Sequence, residues 1–431
     1  MNVDKVAVLG PDFEQSIHRG LTFYSKSLVR CLKDMGFSVS IVTSCGNIST
    51  TQLCELLIVR MLDNPQSPSR KNLLISYLKR LLFKSCDVVE TTDISFDMKG
   101  KLNYLEYVDS YINIQNIYKL MTLNTSVFDR PLSIDVENVQ MIFCTCPCSL
   151  KTKTNIKLVQ TLHDVIPLRR IDHPDDPKIF YSRIKNMLNY SDLVVSVSDF
   201  SKQECLELFP SYEKKIVTVY QPVPVYEVEE NFAMNPLVED AVLLKYKLEK
   251  NSYLLFVSTV EPRKNVKGLI QAYLAIKDKI QLPLVIVGGI GTGSEDLGRY
   301  LANKKDSRYR KDKFSILHLD YINTVDKLVL LRNALAFLFP SFYEGFGLPP
   351  VEAMRMGCPV LTSNVTSLPE ICGDAALLVD PHKISEIAEG IIEIVNNSSM
   401  REELKSKGAT RSDYFSFMNH EERLDRVLRS I

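Results

Sequence analysis

No apolar run of about 18 residues occurs in this 431-residue sequence, so no segment of it reads as a membrane-spanning helix. The opening residues, MNVDKVAVLG, lack the basic segment and apolar core of a signal peptide and lead straight into a short strand. Net charge is missing as well. Fifty-two Lys and Arg balance 52 Asp and Glu, which removes any global reason to expect nucleic acid or an anionic surface as a partner. Low-complexity tracts are absent too. Together these absences point to a folded chain that stays on the cytoplasmic side. Cysteine is present ten times, but without metal or redox spacing. In CTCPC, Cys144, Cys146 and Cys148 are separated by single residues, where a zinc knuckle or redox pair uses two. Reduced cysteines serving as small hydrophobes in a reducing compartment fit better.

What the sequence does contain is a soluble globular composition, 45% hydrophobic and 24% charged. Its length exceeds one ordinary core and favours two domains. Short β-branched runs recur between amphipathic stretches: KVAVL, SVSIVT, VQMIFC, IKLVQTL, LVVSVS and IVTVY, then YLLFVST, LPLVIVGG, FSILHL, AFLFP, PVLTS and ALLVD. Each reads as a buried parallel strand. Helices are predicted over LTFYSKSLVRCLKDMG, with Gly36 as its stop, and over KNVKGLIQAYLAIKDK. The alternation means an α/β fold of two doubly wound, Rossmann-like domains facing a cleft. YQPVPVYEVEENFAMNPLVED, with its prolines and acids, reads as the linker between them. In such sheets ligands bind outside the carboxyl ends of the strands.

One such strand end is FPSFYEGFGLPPVEAMRMGCPVLTS, where Glu344 and Glu352 bracket a glycine-rich loop. AFLFPS is a strand and PPVEAMRMG a helix whose first turn accepts Pro349 and Pro350 and which stops at Gly357. Glu344 then stands on the loop and Glu352 in the helix's first turn. GFGL offers backbone N–H groups beside a helix N-terminus, and carboxylates accept paired hydroxyls. Singly, each glutamate is equally well a solvated loop residue or a complement to the helix dipole.

The chain resembles the retaining glycosyltransferases of glycosyltransferase family 4 (glycosyl transferases group 1), which share the GT-B fold. The resemblance rests on the E-x7-E pattern from Glu344 to Glu352, on STVEPRKNVKGLIQAY upstream, on SNVTSLPEICGDAALLVDP downstream, and on TLHDVIP and VSVSDFSKQE in the first half. It covers nearly the whole chain, weakly over residues 45–140. It implies an acceptor-binding domain over residues 1–225, a donor-binding domain over 226–410, and a last helix, 411–431, that crosses back to the first domain.

The resemblance also assigns roles. Arg263 and Lys264 of EPRKN would clamp the nucleotide diphosphate, chemistry that suits a bidentate guanidinium and a mobile ammonium. Some relatives carry a further arginine where this chain has Ser258, so the contact would rest on these two. Glu352 would accept the ribose hydroxyls, and Glu344 would lie beside the donor sugar. Gly345, Phe346, Gly347 and Leu348 would present backbone groups to that sugar, and Ser367 and Leu368 of SNVTSLPE would close the site near the base and phosphates. His163 of TLHD would approach the donor sugar, while Asp164 caps the next turn. In the first strand–helix loop only Gly20 stands where the family has a pair of glycines, preceded by His18 and Arg19.

GGIGTG, residues 288–293, lacks the G-x-G-x-x-G spacing of a dinucleotide loop and reads as a turn beside the donor. No D-x-D triplet occurs, the signature by which many other glycosyltransferases hold a metal, so a metal-independent reaction without cofactor is expected. SRKNLLISYLKRLLFK, residues 69–84, is basic and amphipathic. It reads as a helix packing on the first domain, with peripheral contact to the inner face of an anionic membrane as the alternative. By resemblance to bacterial polysaccharide mannosyltransferases the donor is GDP-mannose and the acceptor a glycan or lipid-linked glycan. A UDP-sugar donor, a GT-B sugar-nucleotide epimerase and a non-catalytic partner subunit are the competing readings.

Overall fold

The computed structural model describes residues 4–14, 20–44, 88–91, 106–152, 155–170, 173–304 and 316–431. Loop residues His18 and Arg19 and the basic segment 69–84 lie outside them. The chain forms two compact units, Met1–Pro222 with Phe417–Ile431, and Val223–Ser416.

In the first unit the strands are β1 (Lys5–Leu9), β2 (Ser38–Thr43), β3 (Val88–Thr91), β4 (Ser110–Ile114), β5 (Leu132–Ile134), β6 (Met141–Cys144), β7 (Leu150–Thr152), β8 (Lys157–Leu162), β9 (Leu193–Ser196) and β10 (Ile216–Thr218). Among the described residues eight of them make one sheet in the order β10-β9-β8-β6-β1-β2-β4-β3, and β5 pairs with β7. The pairings are parallel except β3 with β4. Val6 to Leu9 and Val39 to Val42 are wholly buried, as expected of strands covered on both faces. The helix Gly20–Asp34 crosses from β1 to β2, and the chain leaves it at Gly36 with φ 92°, where a side chain would be strained. The helix Phe417–Leu428 belongs to this unit and buries His420, Leu424 and Leu428.

The second unit holds β11 (Leu254–Val257), β12 (Leu284–Val287), β13 (Ile316–Leu319), β14 (Ala336–Phe339), β15 (Val360–Ser363) and β16 (Ala376–Val379), all parallel, in the order β13-β12-β11-β14-β15-β16. From β11 the chain winds outward through β12 to β13, then restarts at β14 on the other flank of β11. Neighbouring loops after β11 and β14 therefore run in opposite directions and open a crevice between them. β1 and β6 make the same switch in the first unit.

Two features differ from the sequence reading. The acid-rich half of the expected linker is helical, Glu227–Ala233 and Pro236–Tyr246, because Asn235 caps the second helix through Leu237 N–H and Pro236 occupies a first-turn position that needs no donor. The small β5–β7 pair and the strands β3 and β4 carry too few residues, or too mixed a pattern, to announce themselves.

Candidate active site

The crevice at the β11/β14 switch point gathers the residues that chemistry would need. After β11 a single 3-10 turn, Pro262–Lys264, turns Arg263 and Lys264 toward the loop that follows β14. That loop is tied to it through the backbone, Phe342 N–H donating to Arg263 O at 2.8 Å. Lys264 Nζ lies 2.5 Å from Glu344 Oε1, and Arg263 Nη1 lies 3.0 Å from Glu344 Oε2. Arg263 Nε also donates to Glu261 at 3.2 Å. The Ser341 hydroxyl, 2.8 Å from Glu344 Oε1 and 3.0 Å from Arg263 O, divides one proton between them.

Lys264 and Glu344 are each 6% exposed, so neither charge is solvated by bulk water. Burial, helped by the Arg263 charge, pulls the Lys264 ammonium down to about 8 despite its carboxylate partner. Burial alone would raise the Glu344 carboxyl, but Lys264 and Arg263 outweigh it and hold the group below the ordinary carboxylate range. Two cations thus share one carboxylate, with Asn265 next opening the helix Val266–Ile280. A helix N-terminus beside two cations suits an anion.

Glu344 is also held from behind. Its N–H donates to Thr366 Oγ1 at 3.2 Å, and the Ser367 hydroxyl is 2.9 Å from the carbonyls of both Glu344 and Phe346. Thr366 sits at φ 59°, an uncommon conformation for a β-branched residue. Gly345 and Phe346 are buried, and the Phe346 ring meets Phe415 edge-on at 5.4 Å. Gly347 caps the helix Leu348–Arg355 at φ 102°, where a Cβ would come within 2.7 Å of the Leu368 side chain. Ser367, Leu368 and the 345–348 loop are therefore brought together. The Ser367 hydroxyl, shared between the carbonyls of Glu344 and Phe346, fixes the loop on which Glu344 stands.

Glu352 requires a correction. Its helix begins at Leu348, one residue earlier than expected, so Glu352 falls in the second turn, beyond the end of the helix where the dipole is felt. Its partner is one that sequence reasoning missed. Lys327, from the helix Thr324–Asn333, donates to Oε1 and Oε2 at 2.9 Å each. Lys327 belongs to no motif, and Thr366 and Ser341 lie within quoted segments without having been singled out; only the fold shows what they hold.

In the first unit, His163 follows β8. Its Nε2 lies 2.7 Å from Thr145 O and its ring meets Tyr24 edge-on at 4.9 Å. A carbonyl can only accept, so Nε2 carries the proton. Burial lowers the imidazole to about 4, leaving a neutral ring whose Nδ1 is the acceptor. Gly10, at the tip of β1, makes room here, since a Cβ on it would sit 2.3 Å from Thr145 Oγ1. Asp164 accepts from Ile166 N–H at 3.0 Å, an Asx turn one residue ahead of Val165, which holds the cap position of the helix Ile166–Arg169. Gly20 is the first residue of the helix after β1. In the second unit the turn over residues 288–293 lies along the loop after β11, with Val260 bridged to Ile290 and Gly291 close to Glu261. Among the described residues no group of three His, Cys, Asp or Glu is placed to hold a metal ion, and no helix is long and apolar enough to cross a membrane.

Arg263 and Lys264, with Glu344 and Glu261 against them, make the switch point of this parallel α/β unit a site suited to an anion, and comparison with known proteins gives it a family. Residues 245–411 match the family described as Glycosyl transferases group 1. O-antigen chain mannosyltransferase B of Escherichia coli is 34% identical over 267 residues, 61% of this chain and 68% of the relative. The serotype-specific mannosyltransferase WbdA of Escherichia coli is 28% identical over 268 residues, and there the match spans only 32% of the relative. The chain belongs to the glycosyl transferases group 1 family and is a glycosyltransferase. Solved structures agree on the fold: HepE of Anabaena with UDP and glucose (TM-score 0.62, 14% identity, 99% of this chain and 100% of that one) and sucrose-phosphate synthase of Thermosynechococcus elongatus (TM-score 0.63, 16% identity, 99% and 98%). The architecture is GT-B.

Proposed function

We propose that this glycosyltransferase moves a hexose, mannose from GDP-mannose, onto a glycan or lipid-linked acceptor during synthesis of a cell-surface polysaccharide, with retention of anomeric configuration. The observation that carries the reading is the cluster at the β11/β14 switch point, where the buried Lys264–Glu344 pair is joined by the half-buried Arg263. The choice of mannose is supported by relatives named as mannosyltransferases.

In this reading a diphosphate bound at the switch point meets Arg263 and Lys264, which release part of their hold on Glu344 and take up phosphate oxygens. As the sugar C1–oxygen bond breaks, the electron pair passes to the diphosphate and those two cations stabilise it. The departing oxygen takes the proton of the acceptor hydroxyl, which attacks C1 from the same face. Glu344 stays ionised beside the sugar, His163 approaches it as a neutral ring, and Glu352 receives the ribose hydroxyls. The cationic pair fills the role of a metal ion, so turnover is expected to persist in EDTA. The enzyme would act on the cytoplasmic side.

A thermal-shift panel of GDP-, UDP-, ADP- and dTDP-sugars in EDTA tests this. A ligand at 100 times its dissociation constant stabilises the fold by about 2.7 kcal/mol. GDP-mannose alone should raise Tm, and NMR of the product should show the donor's anomeric configuration. A selective shift with a UDP-sugar would replace the donor, and an inverted product would overturn the chemistry.

A further inference from the structure

Lys327 is a charged residue to which neither the sequence motifs nor the resemblance gives a role. It lies on the helix Thr324–Asn333, between β13 and β14, and its side chain is 15% exposed. Its ammonium bridges both oxygens of Glu352, a carboxylate 8% exposed. Both hydrogen bonds are 2.9 Å, so the pair is symmetrical. Asp326 is turned the other way, to Lys245 and Tyr246 at 2.6 Å each, which leaves Lys327 directed at Glu352.

We propose that Lys327 is a positioning residue for the nucleotide's ribose, holding the Glu352 carboxylate in the orientation in which its remaining lone pairs receive a vicinal diol. This rests on the reading of Glu352 as the ribose acceptor. A carboxylate offers about four lone-pair sites, and a bridging ammonium uses two. Two remain for the two hydroxyls of one ribose. A buried carboxylate without a counter-charge would be costly, and a side chain with three free torsions would lose entropy when a ligand fixed it. Lys327 removes both costs before the donor arrives, which is preorganisation.

The test is calorimetric binding of GDP and UDP and of their 2′,3′-dideoxy analogues to the intact protein and to Lys327→Met, Lys327→Arg and Glu352→Gln, with donor kinetics alongside. Lys327→Met should weaken the better-bound ribonucleotide by tenfold or more, raise donor KM in step, and lower kcat by less. Lys327→Arg should recover part of the loss. On the dideoxy analogue the wild type and Lys327→Met should bind alike, since the loss belongs to the diol. Lys327→Met binding the ribonucleotide like wild type, or losing ribo and dideoxy ligands equally, would overturn the proposal. If Glu352→Gln weakens ribo and dideoxy ligands equally, or if neither ribonucleotide binds wild type, the ribose reading of Glu352 falls first, and this inference with it.

Discussion

Lys264 Nζ and Glu344 Oε1, 80 residues apart in sequence, meet at 2.5 Å because their loops leave adjacent parallel strands at a topological switch point. Removing one partner of a buried pair leaves the other charge uncompensated, at roughly 3–5 kcal/mol. Glu344→Ala should therefore lower stability to urea by that order. Adding Lys264→Met to it should cost less than the sum of the two single changes, because the second removes the orphaned charge. Additive losses would show that the two do not interact.

Activity should carry the signature of Lys264. Its ammonium titrates at about 8 in the folded chain, so the phosphate clamp is doubly charged below that pH and carries Arg263 alone above it. kcat/KM for the donor should fall as pH rises through about 8, since that ratio reports groups of the free enzyme. Lys264→Arg, which does not titrate in this range, should give a lower but level profile. A wild-type profile level to pH 10 would remove Lys264 from the clamp.

Much of this was readable in the sequence, and the reasons differ by element. Buried parallel strands announce themselves as short apolar runs between amphipathic stretches, so β1, β11 and β14 were found from the pattern. Their positions after such strands made Arg263, Lys264 and Glu344 worth a first look, and the resemblance to a known family, not position, gave them roles. That Arg263 and Lys264 would both bind Glu344 was not legible, since strand order decides which loops are neighbours and a linear sequence does not encode it directly. Lys327 and Thr366 stayed hidden for the same reason. Both act through contacts made across the fold, Lys327 with a helix 25 positions away and Thr366 with a loop 22 positions away. Glu352 was misplaced by one residue, enough to carry it out of the first turn, because Gly347, at φ 102°, caps the helix ahead of the two prolines that seemed to mark its start.

Acid should loosen the first unit. His163 and His420 are both held near 4 by burial, whereas in the unfolded chain each returns to about 6.5. Between these values the unfolded chain binds protons that the folded chain refuses, so stability falls as pH drops from about 6.5 toward 4. The limit is about 3 kcal/mol for each histidine. His420 Nδ1 donates to Tyr220 O, 2.8 Å away, since a carbonyl can only accept. Denaturation midpoints at pH 7, 5.5 and 4.5 should decline, and His163→Gln and His420→Asn should each flatten the decline even if they lower the value at pH 7. An undiminished slope in both variants would assign acid sensitivity to carboxylates instead.

Two glycines allow steric crowding to be separated from backbone strain. Gly347 and Gly357 flank the same helix at φ 102° and 73°, so alanine at either should pay for a left-handed conformation, about 1–2 kcal/mol. Only at Gly347 does a Cβ also collide, 2.7 Å from Leu368 Cδ2, whereas Gly357 has nothing within 4 Å. Leu368 is wholly buried and begins the helix that presents Ser367 to the carbonyls of Glu344 and Phe346. Its displacement should therefore reach the site. Gly347→Ala should lower Tm more than Gly357→Ala and should raise donor KM, while Gly357→Ala leaves KM alone. Equal effects on both Tm and KM would mean that the Leu368 contact is soft and that backbone conformation alone sets the requirement for glycine.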